Sequence, residues 1–329
     1  MAQRDGTPRV SLYAAPELGR YGYVEKAWFQ PDVRLRSLLD ELERRDLLGA
    51  VAHSHAPPAT REQLMLLHTP DHVDRVRERC ARDEGSLDHG PTLARRHVEV
   101  AARHVVGAVL HAARALLEGQ TRSAFVPIAG FHHALRDEAR MYCLYNDPAI
   151  VLQWLLGQLE GNLAYIDIDV HRGDGVYTLF ESEPRVVIAD LHEHPRTLFP
   201  HSPSAPGPVS ASGPEALRGV GPARGSKLNV PLPPGTDDDA YLERWEEAEA
   251  FIRRAAPRFV VLVSGVDGLE GDPLSHQCLS PRVIGEVTRR ARAIADESAE
   301  GRLLVLGGGG YDLENVAAGW SAVVEALLS

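Results

Sequence analysis

Apolar residues along this chain gather into short, nearly unbroken runs at Phe125–Ile128, Leu163–Ile168, Val186–Ala189, Phe259–Val263 and Leu303–Leu306. Runs of that length, bounded by polar and glycine-rich stretches, predict strands buried on both faces. Between several of them, at Asp147–Leu159, Asp238–Ala255 and Pro281–Asp296, apolar positions recur at helical spacing. Strands alternating with helices predict an α/β fold, a central parallel β-sheet with helices on both faces. Upstream, Val10–Tyr13 reads as a first strand and Gly19–Gln30 as a loop. Pro31–Arg45 reads as an amphipathic helix, followed by short helices at Thr60–Leu67 and Pro70–Arg82, the latter with proline at its start. Leu93–Leu117 is a long Ala- and Val-rich helix closed by Gly119. Glu84–Thr92 reads as a polar loop and His192–Lys227 as a long irregular segment rich in Pro, Gly and Ser. Loops of that length inside a domain usually carry function. No repeat, linker or break in composition divides the chain, so one domain over residues 1–329 is expected.

The predicted strand ends carry the chemistry. In Asn162–Gly175, NLAYIDIDVHRGDG, strand alternation turns Asp167, Asp169 and His171 to one side and Ile166, Ile168 and Val170 to the other. Two carboxylates and an imidazole on one buried face repel or desolvate badly unless a cation joins them, and these are ordinary ligands for zinc and acceptable ones for iron. The plainer reading is a solvated polar strand end. Other strand ends deliver Gly130-Phe131-His132-His133, Ser264-Gly265-Val266-Asp267, and four glycines followed by Tyr311. In a parallel sheet such groups converge at the carboxyl edge. Together they supply metal ligands, a base, an orienter and an electrophilic donor. By contrast, His97, His104 and His111 stand at heptad spacing on the long helix. At 1.5 Å rise per residue they sit roughly 10 Å apart, too far to share a metal, and read as structural. The run Asp237-Asp238-Asp239 reads as a helix N-terminal feature.

Composition narrows the class. Of 35 basic residues only Lys26 and Lys227 are lysines, and 46 acidic residues give a net charge of −11. That balance argues against nucleic-acid binding. Cys80, Cys143 and Cys278 are scattered and odd in number, fitting neither a disulfide framework nor a zinc knuckle. No signal-like leader or long apolar run stands out, so a cytoplasmic, non-membrane protein is expected. A homo-oligomer is compatible with the sequence.

From about Pro31 onward the ordered motifs GFHHA, YNDPAI, DIDVHRGDG, FP, NVPLPPGT, GVDGLEGDPLS and LGGGGYDL resemble the zinc-dependent histone deacetylase superfamily. That superfamily also includes acetylpolyamine amidohydrolases and acetoin-utilisation proteins, and the chain looks like a bacterial-type member. The resemblance implies the open arginase–deacetylase fold and a metal-dependent amidohydrolase that removes acetyl or other acyl groups. Carried over by motif, Asp169, His171 and Asp267 would hold Zn2+, with Fe2+ the alternative. His132 and His133 would be the paired histidines, oriented by Asp167 and Asp174, and Tyr311 would donate to the scissile carbonyl. Tyr142, Phe199, Leu274, Met141 and Gly309 would bind substrate, and Arg34 would face an acetate cavity. A structural K+ would lie near Asp167, Asp169, His171, Asp190 and Leu191.

The chain departs from the family's pattern in places. Met141 stands where a glycine is usual, Tyr142 where phenylalanine is usual, and Asp190 where many members carry serine. The His-Pro pair ahead of Arg34 is missing, and the rim acid is either Asp88 or Glu270. The expected substrate is an acylated lysine in a peptide or protein. The alternatives are an acetylpolyamine or another small acetylated amine, and a catalytically silent acyl-lysine-binding protein. An apolar Leu274, where polyamine-specific members carry glutamate, favours acyl-lysine.

Overall fold

The long apolar runs do become strands, and every strand pairing is parallel. The computed structural model describes residues 9–23, 30–88, 90–200 and 217–329. In chain order its elements are β1 (Val10–Leu12), α1 (Pro16–Gly19), α2 (Pro31–Arg44), β2 (Ala52–His53), α3 (Arg61–Leu64), α4 (Pro70–Arg82) and α5 (Arg96–Leu117). Then come β3 (Ser123–Val126), α6 (Asp147–Leu156), β4 (Leu163–Asp167), α7 (Asp174–Phe180), β5 (Val186–Glu193) and β6 (Lys227–Leu232). The last are α8 (Asp238–Ala255), β7 (Phe259–Val263), α9 (Pro281–Ser298), β8 (Leu303–Leu306) and α10 (Leu313–Leu328).

The eight strands form one sheet in the order β2-β1-β3-β8-β7-β4-β5-β6, with helices packed around it. The inner strands β3, β4, β7 and β8 are buried at every position, which is why their sequences show no polar alternation. Among the described residues α5 is long and apolar enough to cross a membrane, yet 67% of its apolar window is buried within the molecule. It is a core helix packed on β3 and α6.

Several boundaries differ from expectation. Helix α5 starts at Arg96, not Leu93, because Leu93 is drawn into an antiparallel bridge with Ser86 and the Ala94 N–H bonds the Gly85 carbonyl. Strand β5 runs past Ala189 to Glu193, pairing with β6, so the irregular segment begins two residues later than His192. Its middle, residues 201–216, lies outside the described residues, as do residues 24–29 of the predicted Gly19–Gln30 loop. Strand β6 (KLNVPL) starts on Lys227, the last residue assigned to that segment. It forms the sheet edge, where the missing N–H of Pro231 costs no ladder bond on its outer side.

Candidate active site

The order β3-β8-β7-β4 makes neighbours of the four strand ends that carry the singled-out motifs. Their carboxyl ends meet around one cavity of about 350 Å³. Its walls include His132 and His133 after β3, Gly309 and Tyr311 after β8, and Asp169 and His171 after β4. Arg34 of α2 and the apolar Met141, Tyr142, Leu198, Phe199 and Leu274 complete the lining.

Three donors converge at the floor. His171 Nδ1 lies 3.1 Å from Asp169 Oδ1 and 3.0 Å from Asp267 Oδ2, and the three donor atoms fall within 4.8 Å of one another. Each carboxylate is aimed by the backbone: Gly309 N–H donates to Asp169 Oδ2 at 2.6 Å, and Val170 N–H to Asp267 Oδ1 at 3.0 Å. Burial, then the neighbouring Asp169 charge, pushes the Asp267 carboxyl up to about 7. Burial acts to raise Asp169 as well, but its hydrogen bond to His171, the charges of His132 and His171 and the Gly309 N–H together hold it below the usual carboxylate range. His171 is half-buried, which disfavours its charge, yet the two acids raise it to about 10. One imidazole proton cannot pair two buried carboxylates well, whereas a divalent cation can engage all three groups, so the donor set fits zinc or iron. The close approach of the β8 loop needs glycine. A Cβ on Gly309 would sit 2.1 Å from Asp267 Oδ2, and Gly308 adopts φ +67°.

Beside this floor stand two His–Asp pairs. His132 Nδ1 is 2.8 Å from Asp167 Oδ2, His133 Nδ1 is 2.8 Å from Asp174 Oδ1, and the two Nε2 atoms are 3.2 Å apart. The surroundings push the pairs apart. Burial disfavours charging His132, but Asp167, with Asp169 and Asp190 behind it, raises it to about 10. Burial and then repulsion from His132 lower His133 to about 4. Tyr165 and the Asp169 N–H also donate to Asp167, at 2.6 and 3.1 Å.

The phenol of Tyr311 is raised well above its ordinary range by burial and the nearby acids, so it stays a proton donor. Arg34, buried on α2, donates from Nη2 to the Gly308 carbonyl at 2.7 Å and lies 4.8 Å from the Trp320 ring, while its Nε has no partner among the described residues.

Other expected groups fare differently. Asp88 does not line the cavity. Its carboxylate accepts from the Gly90, Thr92 and Met141 N–H groups and from the Ser86 and Thr92 hydroxyls at 2.6–3.1 Å. Glu270 is exposed and is absent from the cavity wall. Asp190 spends one oxygen on the Gly173 N–H (2.9 Å) and the other on His192 Nδ1 (2.8 Å). His97 bonds the Gly22 carbonyl and His111 the Tyr13 hydroxyl, both at 2.9 Å, in keeping with structural roles.

The sequence reading missed the supports. Asp147 accepts the Gly130 and Phe131 N–H groups, both at 2.9 Å, while Asn146 Nδ2 donates to the His132 and Ala134 carbonyls at 3.1 and 2.9 Å. Asp272 accepts the Tyr311 N–H at 2.7 Å and the Leu274 N–H at 3.0 Å, tying the phenol's loop to the cavity wall. Their only signal was that YNDPAI and GVDGLEGDPLS hold acids and an amide among apolar residues, with no stated task.

A family model described as "Histone deacetylase domain" matches residues 29–327. The acetoin utilization protein AcuC of Bacillus subtilis (strain 168) is 31% identical over 268 residues, which are 78% of this chain and 66% of that protein. The protein of the same name from Staphylococcus xylosus is 30% identical over 327 residues, 95% of this chain and 81% of that one. The crystal structure of the HDA15 HD domain is similar in fold, with TM-score 0.86 at 24% identity over 98% of this chain and 90% of that chain. With the parallel sheet and its strand-end cavity already in place, these likenesses establish that the chain has the arginase–deacetylase α/β fold and belongs to the histone deacetylase family.

Proposed function

We propose that this protein is a metal-dependent amidohydrolase that removes acetyl or other acyl groups from acylated lysine side chains. The observation that carries the reading is the opening of three elements onto one cavity: a three-donor cluster, two His–Asp pairs of unlike charge, and a protonated phenol. A divalent cation bound by Asp169, His171 and Asp267 would supply Lewis acidity to a water and to the amide carbonyl. His133, neutral at ordinary pH, takes the proton of the attacking water and returns it to the leaving nitrogen as the C–N bond breaks, giving a carboxylic acid and an amine that part as carboxylate and ammonium. Asp174 fixes the tautomer in which Nε2 of His133 carries no proton. Tyr311 donates to the oxyanion as it develops. His132, held cationic by Asp167, adds positive charge beside that step. The free Nε of Arg34 suits a carboxylate product.

The apolar wall of Met141, Tyr142, Leu198, Phe199 and Leu274 favours the methylenes of a lysine chain, worth roughly 0.8 kcal/mol each on burial. Among the described lining residues the one carboxylate is Asp169, so a polyamine's distal amines meet no acid there. The test is a panel of acetyl-lysine and longer acyl-lysine peptides, acetylputrescine and acetylspermidine, with and without chelator. Chelator-sensitive turnover that favours acyl-lysine is expected. Higher kcat/KM on acetylpolyamines than on every acyl-lysine peptide would overturn the substrate assignment, and full activity in metal-free protein would overturn the metal role.

A further inference from the structure

Arg140 occupies a junction that neither the motif comparison nor the reaction scheme assigns. Its Nη1 donates to Asp174 Oδ2 at 3.0 Å, while the other oxygen of that carboxylate takes His133 Nδ1 at 2.8 Å. The side chain is only 13% exposed, and its other acid, Glu138, lies 3.9 Å away. A shielded, charge-assisted bond of this kind is directional and stiff. The two His–Asp pairs are therefore built differently: Asp167 is fixed by a hydroxyl and a backbone N–H, and Asp174 by a guanidinium.

Arg140 is also the first residue of a tight turn. Its N–H bonds the Cys143 carbonyl at 3.0 Å and the reverse bond measures 2.8 Å, closing a two-residue loop. The central residues, Met141 and Tyr142, both lie in the left-handed region, at φ +43° and +67°, and both line the cavity. That conformation suits Asn-Gly, and non-glycine side chains there are strained. Bonds from the Met141 N–H to Asp88 (3.1 Å), from the Tyr142 N–H to Thr92 (2.8 Å) and from the Tyr21 hydroxyl to the Tyr142 carbonyl (2.8 Å) hold the turn in place. One pinned element thus carries both the cavity wall and the group that grips Asp174.

We propose that Arg140 is a positioning residue that acts through Asp174 to hold the His133 imidazole in its working orientation, tying the base to the Met141–Tyr142 wall. The inference rests on the proposed role of His133. The Arg172 carbonyl accepts the Asp174 N–H at 2.8 Å, but the Arg172 side chain forms no hydrogen bond among the described residues and has a buried, unpartnered Nε, so the direct side-chain restraint on the carboxylate comes from Arg140.

The test compares Arg140→Met and Arg140→Lys in the full chain, each alone and with Asp174→Asn. Arg140→Met should lower kcat by about 10–100-fold, the usual cost of losing a supporting partner of a functional group, with KM changed far less. Arg140→Lys should recover most of kcat because it keeps the charge. In the Asp174→Asn background Arg140→Met should add almost nothing, since the route to His133 is already cut. Imidazole 15N NMR gives a readout independent of substrate: the Nδ1–H resonance of His133 should be sharp in wild type and Arg140→Lys, and broadened or lost in Arg140→Met. Wild-type kcat in Arg140→Met, an equal loss in both backgrounds, or an unchanged His133 resonance would overturn the proposal. Should wild type turn over no acyl-lysine, the acyl-lysine reading falls while the NMR result still decides Arg140.

Discussion

Gly309→Ala probes the metal floor by steric displacement alone. Gly309 does not sit in the left-handed region, so alanine brings no backbone strain. Its Cβ, however, would sit 2.1 Å from Asp267 Oδ2 and 3.0 Å from Asp169 Oδ2. Real Cβ contacts do not fall below 3.0 Å, so the carboxylate or the glycine loop must give by about 0.9 Å. Neither gives easily. Asp267 is pinned through Oδ1 by the Val170 N–H, and the Gly309 N–H is itself bonded to Asp169. Metal–ligand distances tolerate only about ±0.2 Å, so the shift exceeds tolerance several-fold. Metal affinity should fall by at least about 10–100-fold, the cost already seen for losing outer supports alone. The assay is metal per chain after equilibration in limiting zinc, together with the zinc-induced rise in Tm that binding to the folded state produces. Gly49→Ala, whose Cβ meets nothing within 4 Å, is the control. Gly309→Ala protein with wild-type zinc content and an undiminished Tm rise would refute the placement of the ion between Asp169, His171 and Asp267.

Three further outcomes follow from the site. Tyr311→Phe should lower kcat by on the order of 10²–10³, as loss of an oxyanion donor does, with metal content unchanged; wild-type turnover would end that role. Because His133 must be neutral to accept a proton and is held at about 4, first by burial and then by His132, kcat/KM should hold up well below pH 6.5. His132→Asn removes the cationic neighbour and should move the acid limb to higher pH; a limb that stays put or moves down would contradict the coupling. Leu274→Glu places a carboxylate on the cavity wall, and should shift the ratio of kcat/KM values towards acetylspermidine by about 1–3 kcal/mol, the value of a charged hydrogen bond in a partly desolvated site; an unchanged ratio on paired substrates would remove Leu274 as a selector.

The framework was legible in the sequence where burial alone decides the pattern. Phe259–Val263 and Leu303–Leu306 were delimited to the residue because strands buried on both faces carry no polar positions. What stayed hidden is what depends on a distant partner. Strand β6 opens with Lys227, which no strand pattern favours, yet its Nζ is buried against the Glu183 and Val186 carbonyls and the Ser226 hydroxyl at 3.0, 2.5 and 2.8 Å. Asp272 reads as a loop acid until its bond to the Tyr311 N–H, across 39 residues, is seen. The sequence likewise offered Asp88 as a rim acid, but five donors from residues 86–92 and 141 consume its carboxylate. Residues proposed to act through their own side chains were legible by type and spacing. Residues that act by holding another chain segment were not, because the segment they hold leaves no mark beside them.

The adjacent histidines make the same point electrostatically. His132 and His133 are consecutive, each bonds an aspartate through Nδ1 at 2.8 Å, and both are buried, so composition and spacing give no reason for them to differ. The charges behind the two aspartates separate them. Asp167 stands among Asp169 and Asp190, and that excess of negative charge favours an imidazolium at His132. Asp174 is bonded by Arg140 and lies near Arg172, so its charge is shared with them, and its pull on His133 does not offset burial and the His132 charge. A cation at His132, 3.2 Å away, then penalises a second proton on His133. The pair therefore holds one proton firmly and leaves Nε2 of His133 unprotonated, the state in which His133 can accept a proton from water. Burial acts against a proton on both rings, and only His132 has enough acids behind its partner to overcome it, so the order of duties within the His-His pair is set by Asp167, Asp169 and Asp190 and not by the histidines themselves.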